Sequence, residues 1–240
     1  MNFTGLVPHV VEALCGQGIG DRRDRAQVTG VWCAGALPRG CAAVLQRTHR
    51  LRLARFPVHP LAKRLRDDHR HLLRVLAVLE AQLEALGRAE DVDFDLMLDA
   101  MTYITEFPNR LHHPVEDVLF EQLADRDASA ATVCREQIAE HERLFHDSAA
   151  FYGLLEAIQM DEATLTREQL VTDGRAFIEA QRAHLAREEA KLLPMAEQAL
   201  DTADWDRAAL TAGEVDDPLD ATSRPARYEA LYRALSRLPA

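Results

Sequence analysis

The stretch from residue 61 to residue 87, LAKRLRDDHRHLLRVLAVLEAQLEALG, is the clearest indicator of the fold class. Residues on one face recur at alternating spacings of four and three, which is typical of a helix packed in a bundle. These positions are Leu65, His69, Leu72, Leu76, Leu79, Leu83 and Leu86. Pro60 suits the first turn of such a helix and Gly87 its end. The stretch therefore predicts one long helix with a histidine on its buried face.

A second helix begins near Phe94, with Leu98, Met101 and Thr105 on one face, and the pattern resumes through Leu119 and Leu123. Two prolines interrupt it, Pro108 and Pro114. A proline inside a helix removes one backbone hydrogen bond and its ring collides with the preceding turn. We therefore predict a kink or local bulge near Arg110.

Two more helices follow with the same periodicity. The third carries Cys134, Ile138 and His141 on its apolar face, and the fourth carries Phe177, Gln181 and His184. Thr166 and Gln169 form a capping box that predicts the start of the fourth helix. Four long helices with short connections predict an all-α fold, an up-down-up-down four-helix bundle. After Trp205 the sequence predicts an irregular stretch and then a short C-terminal helix that packs on the bundle.

The composition divides the chain into three segments. Residues 1–58 contain seven of the eleven Gly, all eight Arg of the first 60 residues and no long apolar stripe. They are predicted to be a weakly ordered N-terminal extension. Residues 59–203 are the predicted bundle, and residues 204–240 are the predicted tail.

Several classes of function are disfavoured by composition. A net charge of −11 argues against nucleic acid as a partner, because phosphate binding requires a basic surface. No apolar run reaches the roughly 20 residues that a membrane span needs, so no membrane association is expected. Four Cys without paired spacing do not indicate a disulfide framework, which favours a cytoplasmic location.

Polar residues interrupt the apolar faces of all four helices. His69, His112, His141 and His184 each fall on a buried face, one per helix. Glu116 and Glu188 lie four residues after His112 and His184, so each pair reaches one point in the core. Burying an imidazole without partners costs about 1–3 kcal/mol, and a single buried histidine is usually a core residue with hydrogen-bond partners. Four histidines on the buried faces of four helices, at similar heights along the predicted bundle, favour a shared site.

Four neutral nitrogens and two buried carboxylates favour metal ions as their common partner. Two divalent cations would neutralise the carboxylates, which suit metals held ~3.5–4 Å apart. A mixed nitrogen and oxygen set without thiolate suits iron, with manganese or zinc as less selective alternatives. We predict six metal ligands: His69, His112, Glu116, His141, His184 and Glu188. Six ligands do not saturate two six-coordinate ions, so positions remain open for a small ligand.

Four separated motifs, in this order, resemble the hemerythrin-like (HHE cation-binding) family. They are FPNRLHHPVEDVLF at 107–120, Glu140-His141, HLAREEAKLLP at 184–194, and a tail with Asp204-Trp205 and Asp217-Pro218-Leu219. The resemblance spans about residues 60–235. It implies a four-helix bundle with a non-haem di-iron centre, in which two carboxylates and an oxygen species bridge the irons.

The third helix departs from one branch of that family. Oxygen-carrying hemerythrins place a His-x-x-x-His pair there, whereas the position four after His141 is Phe145. The sequence is more similar to the four-histidine, two-glutamate pattern of hemerythrin-like sensors and di-iron repair proteins. Those carriers also use a carboxylate five residues after the histidine, which keeps Glu189 as an alternative to Glu188. His146 and Glu142 are candidate accessory ligands.

Three functions remain open from the sequence. The first is a di-iron protein that binds oxygen or nitric oxide in sensing, storage or stress protection. The second is a di-iron redox enzyme that acts on peroxide, nitric oxide or oxygen. The third is a metal-free helical interaction module with a polar core, which predicts full stability after chelation.

Overall fold

The computed structural model describes residues 58–212, 217–219 and 226–238, and every regular element in these ranges is helical. The prediction of an all-α fold is therefore confirmed. The predicted N-terminal extension lies outside the described residues except for Val58. No helix in the described ranges is both long and apolar enough to cross a lipid bilayer.

Four long helical segments make up most of the described chain, and two of them contain a π-helical turn. In chain order, the elements are α1 (Pro60–Gly87), α2 (Phe94–Phe107), a first π turn (Pro108–His112), α3 (His113–Arg126), α4 (Ala131–Gln159), α5 (Arg167–Arg187), a second π turn (Glu188–Leu192), α6 (Leu193–Ala199), α7 (Thr202–Ala212), a 3₁₀ turn (Ala226–Tyr228) and α8 (Glu229–Arg237). Helix α7 continues through Trp205 to Ala212, so the prediction of an irregular stretch directly after Trp205 was wrong.

Side-chain caps explain where two of the long segments begin. The Asp93 carboxylate accepts a hydrogen bond from the Leu96 N–H at 2.9 Å and caps α2. Thr166 and Gln169 form a reciprocal capping box at the start of α5, as predicted. Such caps satisfy backbone N–H groups that have no partner inside the helix.

The apolar core is split into two clusters by a polar layer. Leu65 of α1 belongs to one cluster and Leu72 to the other, with His69 between them. The same division occurs around His112, where Phe107 and Val115 belong to different clusters. Helix α1 packs on α2 and α5, while α4 packs on α2, α3 and α5. The helices therefore bring their polar positions together at one level of the bundle.

Gly174 allows a close approach between helices in the apolar core. A Cβ built at this position would lie 2.5 Å from Leu83 Cδ1 and 3.1 Å from Phe151 Cζ. Both neighbours are buried in the apolar core. Even a methyl group at position 174 would therefore force the surrounding side chains to move.

Gly174→Ala should lower the free energy of unfolding by about 1 kcal/mol, because an overpacking cost of ~1–3 kcal/mol exceeds the ~1 kcal/mol gain in helix propensity. Gly153→Ala is the matched control, since Gly153 is exposed on α4 and a Cβ added there would meet nothing within 4 Å. That variant should be more stable than the wild type. Urea unfolding of both variants measures the difference, and equal stabilisation of the two would contradict the packing argument.

The C-terminal residues are attached to the bundle through a buried carboxylate. Asp217 accepts a hydrogen bond from the Tyr103 hydroxyl at 2.7 Å, and the same oxygen lies 2.8 Å from His71 Nδ1. Its other oxygen accepts the Leu219 N–H at 2.8 Å. Helix α8 packs on α1 and α2. Asp217 therefore links this part of the chain to α1 and α2.

Candidate metal centre

Two π turns place polar residues at the centre of the bundle. The first, Pro108–His112, is closed by a hydrogen bond from the His113 N–H to the Pro108 carbonyl, which confirms the predicted bulge near Arg110. Pro114 has no N–H to offer the Arg110 carbonyl, and its ring would collide with that carbonyl in a regular α-helix. The wider turn removes this conflict.

The second π turn, Glu188–Leu192, was not anticipated from the sequence. The Leu193 N–H donates to the Glu188 carbonyl and closes it. Pro194 stands two residues after the turn, just as Pro114 stands two residues after the first. This repeated proline position is the sequence feature that could have indicated the second π turn.

The six residues predicted as metal ligands all lie together in the polar layer. Each is at most 4% exposed, and both glutamates are fully buried. Among them, His69 and His112 have their Nε2 atoms 3.0 Å apart. Residues distant in sequence and located on four helical segments thus converge on one buried point.

The two carboxylates lie between histidines of different helices. Glu116 Oε1 is 3.3 Å from His69 Nε2, and Glu116 Oε2 is 3.2 Å from His112 Nε2. Glu188 Oε1 is 3.2 Å from His141 Nε2 and 3.4 Å from His184 Nε2. The second Glu188 oxygen is 3.4 Å from His69 Nε2. Glu116 Oε2 is also 3.7 Å from His141 Nε2, so each carboxylate faces imidazoles on both sides of the layer.

Each of the four histidines presents its Nδ1 atom to an outer carboxylate. The distances are 3.2 Å for His112 to Asp68, 2.6 Å for His141 to Asp117, 3.2 Å for His184 to Glu140 and 2.8 Å for His69 to Glu189. An Nδ1–H donated to a carboxylate leaves the Nε2 lone pair directed at the centre. We name these four acidic residues the outer carboxylates.

The outer carboxylates follow a simple rule along the chain. Each is the sequence neighbour of one of the six predicted ligands, yet it contacts a histidine on another helix. Asp68, for example, precedes His69 on α1 but holds His112. The sequence did not indicate the roles of Asp68 and Glu140.

Glu188 and Glu189 occupy different environments. Glu188 is fully buried between the histidines, whereas the side chain of Glu189 is 36% exposed. Glu189 lies near the rim, where it contacts His69 Nδ1 and is 3.4 Å from Arg66 Nε. The structure therefore brings Glu188, and not Glu189, into the centre. The accessory candidates His146 and Glu142 are exposed and lie outside it.

Gln137 is a further buried residue that the sequence did not indicate. It is fully buried one turn before His141, and its amide donates to Glu188 Oε1 at 2.9 Å. Its own carbonyl oxygen accepts from Arg187 at 2.9 Å. Phe145, four residues after His141, is 42% exposed. On α4, the position that faces the centre beside His141 is thus Gln137 and not Phe145.

The electrostatics of the metal-free centre favour bound protons. Burial lowers the pKa of His69, but the nearby carboxylates of Glu116 and Glu189 outweigh it and raise the pKa to about 10. The pKa of His141 likewise rises to about 10, against burial, through Asp117 and Glu188. Burial would raise the pKa of Glu116, yet the neighbouring histidines hold it well below its usual range. Without metal, protons on the imidazoles compensate the buried carboxylates.

We expect the metal-free protein to lose stability as the pH rises from about 7 to 10. The pKa of His69 and of His141 is about 10 in the folded state, compared with ~6.5 in an unfolded chain. Their contribution is complete below pH ~6.5 and is lost as the pH approaches and passes 10. Urea unfolding in the presence of a chelator measures this trend, and an unfolding free energy that stays constant or increases over this range would contradict it.

The donor atoms of the centre fit a pair of cations. Both Glu116 oxygens, Glu188 Oε2 and His184 Nε2 are buried and make no hydrogen bond. Two groups of donors have atoms within 4.8 Å of one another: a mixed group of His69, His112, Glu116 and Glu188, and a three-histidine group of His113, His141 and His184. Buried polar atoms without partners are costly, and cations would satisfy them.

Comparison with known proteins agrees with this arrangement. The family model of the hemerythrin HHE cation-binding domain matches residues 61–196, which is more than half of the chain. No curated protein matches the chain significantly. The matched range includes all six predicted ligands and all four outer carboxylates. The chain belongs to the hemerythrin family of HHE cation-binding domains.

Proposed function

We propose that this chain is a non-haem di-iron protein that binds a small diatomic ligand, oxygen or nitric oxide, in sensing, storage or stress protection. The observation that carries the proposal is the placement of two fully buried carboxylates between four histidine Nε2 atoms. The centre would lie in an up-down-up-down bundle of four helical segments.

The six predicted residues would hold two irons, joined by an oxygen bridge. His69 and His112 would hold one ion, His141 and His184 would hold the other, and Glu116 and Glu188 would contribute to both. Two irons supply exchangeable ligand positions and one-electron redox chemistry. The nitrogen and oxygen donor set also accommodates manganese or zinc.

The chain's own residues prepare this site in three ways. The outer carboxylates hold the imidazoles in the orientation that directs Nε2 inward. The Gln137 amide holds one oxygen of Glu188. Apolar clusters above and below the polar layer exclude bulk water. Such surroundings favour a small neutral ligand over a charged one.

Asp117, the outer carboxylate that contacts His141, offers a direct test of whether the outer carboxylates orient the metal-binding imidazoles. Asp117→Asn should weaken metal binding by ~10–100-fold, because a neutral amide no longer favours the required Nδ1–H form of His141. Metal competition with a chelator of known affinity measures the change. Asp125→Asn is the control, since Asp125 is an exposed carboxylate on the same helix. Equal affinity in both variants would contradict an orienting role.

The proposed ligand chemistry is tested by loading the metal-free protein with ferrous iron under anaerobic conditions. We expect about two irons per chain, and absorption bands above ~300 nm that change when oxygen or nitric oxide is admitted. Bands that respond to neither gas would contradict the diatomic-ligand proposal. Repeated consumption of peroxide that is lost in His141→Ala but retained in His71→Ala would instead support a redox enzyme.

A further inference from the structure

A row of aromatic rings extends from the polar layer into the apolar core. The Phe107 ring stacks on the imidazole of His112, with centroids 6.4 Å apart and 29° between the planes. The Tyr103 ring stacks on Phe107 in turn, with centroids 5.2 Å apart and 14° between the planes. Tyr103 and Phe107 lie four residues apart on α2 and therefore share one face of the helix. A single aromatic ring thus separates Tyr103 from a predicted metal ligand.

Tyr103 is a fully buried phenol with a carboxylate as hydrogen-bond partner. Its side chain is 0% exposed, and its hydroxyl donates to Asp217 Oδ2 at 2.7 Å. Asp217 is itself buried, and its position is fixed by the Leu219 N–H on the other oxygen and by His71 Nδ1. A tyrosine that loses an electron also loses its hydroxyl proton. A carboxylate within hydrogen-bond distance of that hydroxyl is placed to accept the proton.

Tyr228 continues the row, but its surroundings oppose oxidation. Its ring meets that of Tyr103 edge-on, with centroids 6.0 Å apart. Arg227 Cζ lies 4.7 Å from the centroid of the Tyr228 ring, and this positive charge disfavours removal of an electron from the ring. Burial raises the pKa of Tyr228 to about 12, which disfavours loss of its proton. The Asp217 carboxylate therefore distinguishes Tyr103 as the residue of the row that can lose an electron and a proton together.

We propose that Tyr103 is a redox-active residue that delivers one electron through the Phe107 ring to the metal centre and its hydroxyl proton to Asp217. The inference rests on the proposed function, since it requires a centre that holds iron and reacts with oxygen. It adds to that function a one-electron donor built into the chain. The dry apolar cluster around Tyr103 and Phe107 would protect the resulting radical from water.

The proposed step balances with ferrous iron as the co-reactant. Reduction of dioxygen to two water molecules breaks the O–O bond and takes four electrons, with four protons from solvent. The two ferrous ions of the centre supply two electrons, and one further ferrous ion from solution supplies a third. Tyr103 supplies the fourth. Its O–H bond breaks, the proton passes to the Asp217 carboxylate, and a neutral tyrosyl radical remains while all three ferrous ions become ferric.

The experiment is electron paramagnetic resonance of the iron-loaded protein. Anaerobic protein with excess ferrous iron is mixed with oxygenated buffer and frozen, and the bound iron of each sample is counted. We expect an organic radical signal whose hyperfine splitting changes when the protein is prepared with ring-deuterated tyrosine. Tyr103→Phe keeps the stacked ring but lacks the hydroxyl, so this signal should be lost. Tyr152→Phe, at a half-buried position on α4, is the matched control and should retain it.

The role of Asp217 is tested by the rate at which the radical forms. Asp217→Asn can still accept the hydrogen bond of Tyr103 but cannot take its proton. Formation of the radical should slow by at least ~100-fold, the lower end of what a positioned proton acceptor contributes. Glu229→Gln removes an exposed carboxylate on α8 and is the control. Rapid-freeze sampling measures both rates, and equal rates would contradict proton transfer to Asp217.

The outcomes separate this inference from the proposed function. Two bound irons and gas-dependent absorption bands without a tyrosyl signal would overturn the role of Tyr103, and the di-iron proposal would stand. A tyrosyl signal that persists in Tyr103→Phe would also overturn that role. Absence of bound iron in the wild type would overturn both proposals.

The assignment does not depend on the folding of Tyr103→Phe. The chain contains four tyrosines, so the other three can be replaced one at a time. A signal retained in Tyr152→Phe, Tyr228→Phe and Tyr232→Phe assigns the radical to Tyr103. Loss of the signal in any one of these variants, with iron still bound, would place the radical elsewhere and contradict the proposal.

Discussion

Glu188→Ala should reduce the metal content of the protein from about two ions per chain to one or fewer. Glu188 is fully buried, and its two oxygens face His141, His184 and His69. Its removal takes a charge from both cation positions at once and disconnects the two sides of the polar layer. We expect affinity for the second ion to fall by more than ~100-fold, since even outer partners of metal ligands contribute ~10–100-fold. Metal analysis after dialysis measures the loss.

Two neighbouring carboxylates provide controls for that experiment. Glu189→Ala removes an outer carboxylate and should retain both ions with weaker affinity, because Glu189 contacts only the Nδ1 side of His69. Glu142→Ala removes an exposed carboxylate next to His141 and should have no effect. Full metal content in Glu188→Ala, together with loss in Glu189→Ala, would show that the two glutamates have the opposite roles.

Removal of the metal should lower the melting temperature of the wild-type protein by at least roughly 10 °C. Ligand present at 1,000 times its dissociation constant stabilises a folded protein by ~4 kcal/mol per site. For a domain of this size, 1 kcal/mol corresponds to roughly 2–4 °C. Protons on His69 and His141 limit the loss, because they partly replace the cations as partners of the carboxylates. Calorimetry with and without a chelator measures the change.

The same experiment tests the alternative of a metal-free interaction module. Such a module would have a polar core held by hydrogen bonds alone, and its melting temperature would be unaffected by chelation. The variant Glu116→Ala/Glu188→Ala is a second comparison, because its stability should not respond to added metal. A wild-type protein that also fails to respond would contradict the cation-binding account of the core.

The fold class and the inner residues were accessible from the sequence for a specific physical reason. An imidazole on an apolar helical face, such as His69 between Leu65 and Leu72, interrupts a regular pattern and is visible in one helix at a time. The i and i+4 spacing of His112 and Glu116 is equally local. These features required no knowledge of how the helices pack against one another.

The outer carboxylates could not be found in this way, because each acts across a helix interface. Asp68 and Glu140 resemble ordinary surface acids in the sequence, and their roles depend on which helix packs beside them. The burial of His113 could not be predicted from the sequence for a different reason. In a regular α-helix two adjacent side chains point about 100° apart, whereas both His112 and His113 are buried at the end of the π turn. Prolines predicted the first interruption, but not its effect on side-chain direction.

We propose that two metal ions lie between Glu116 and Glu188, and crystals of the iron-loaded protein would show both ions. Anomalous scattering measured at the iron absorption edge locates each ion without reference to any assumed ligand. We expect two peaks ~3.5–4 Å apart inside the polar layer, with His69, His112, His141 and His184 as neighbours. A single peak, or peaks at the outer carboxylates or elsewhere, would contradict it.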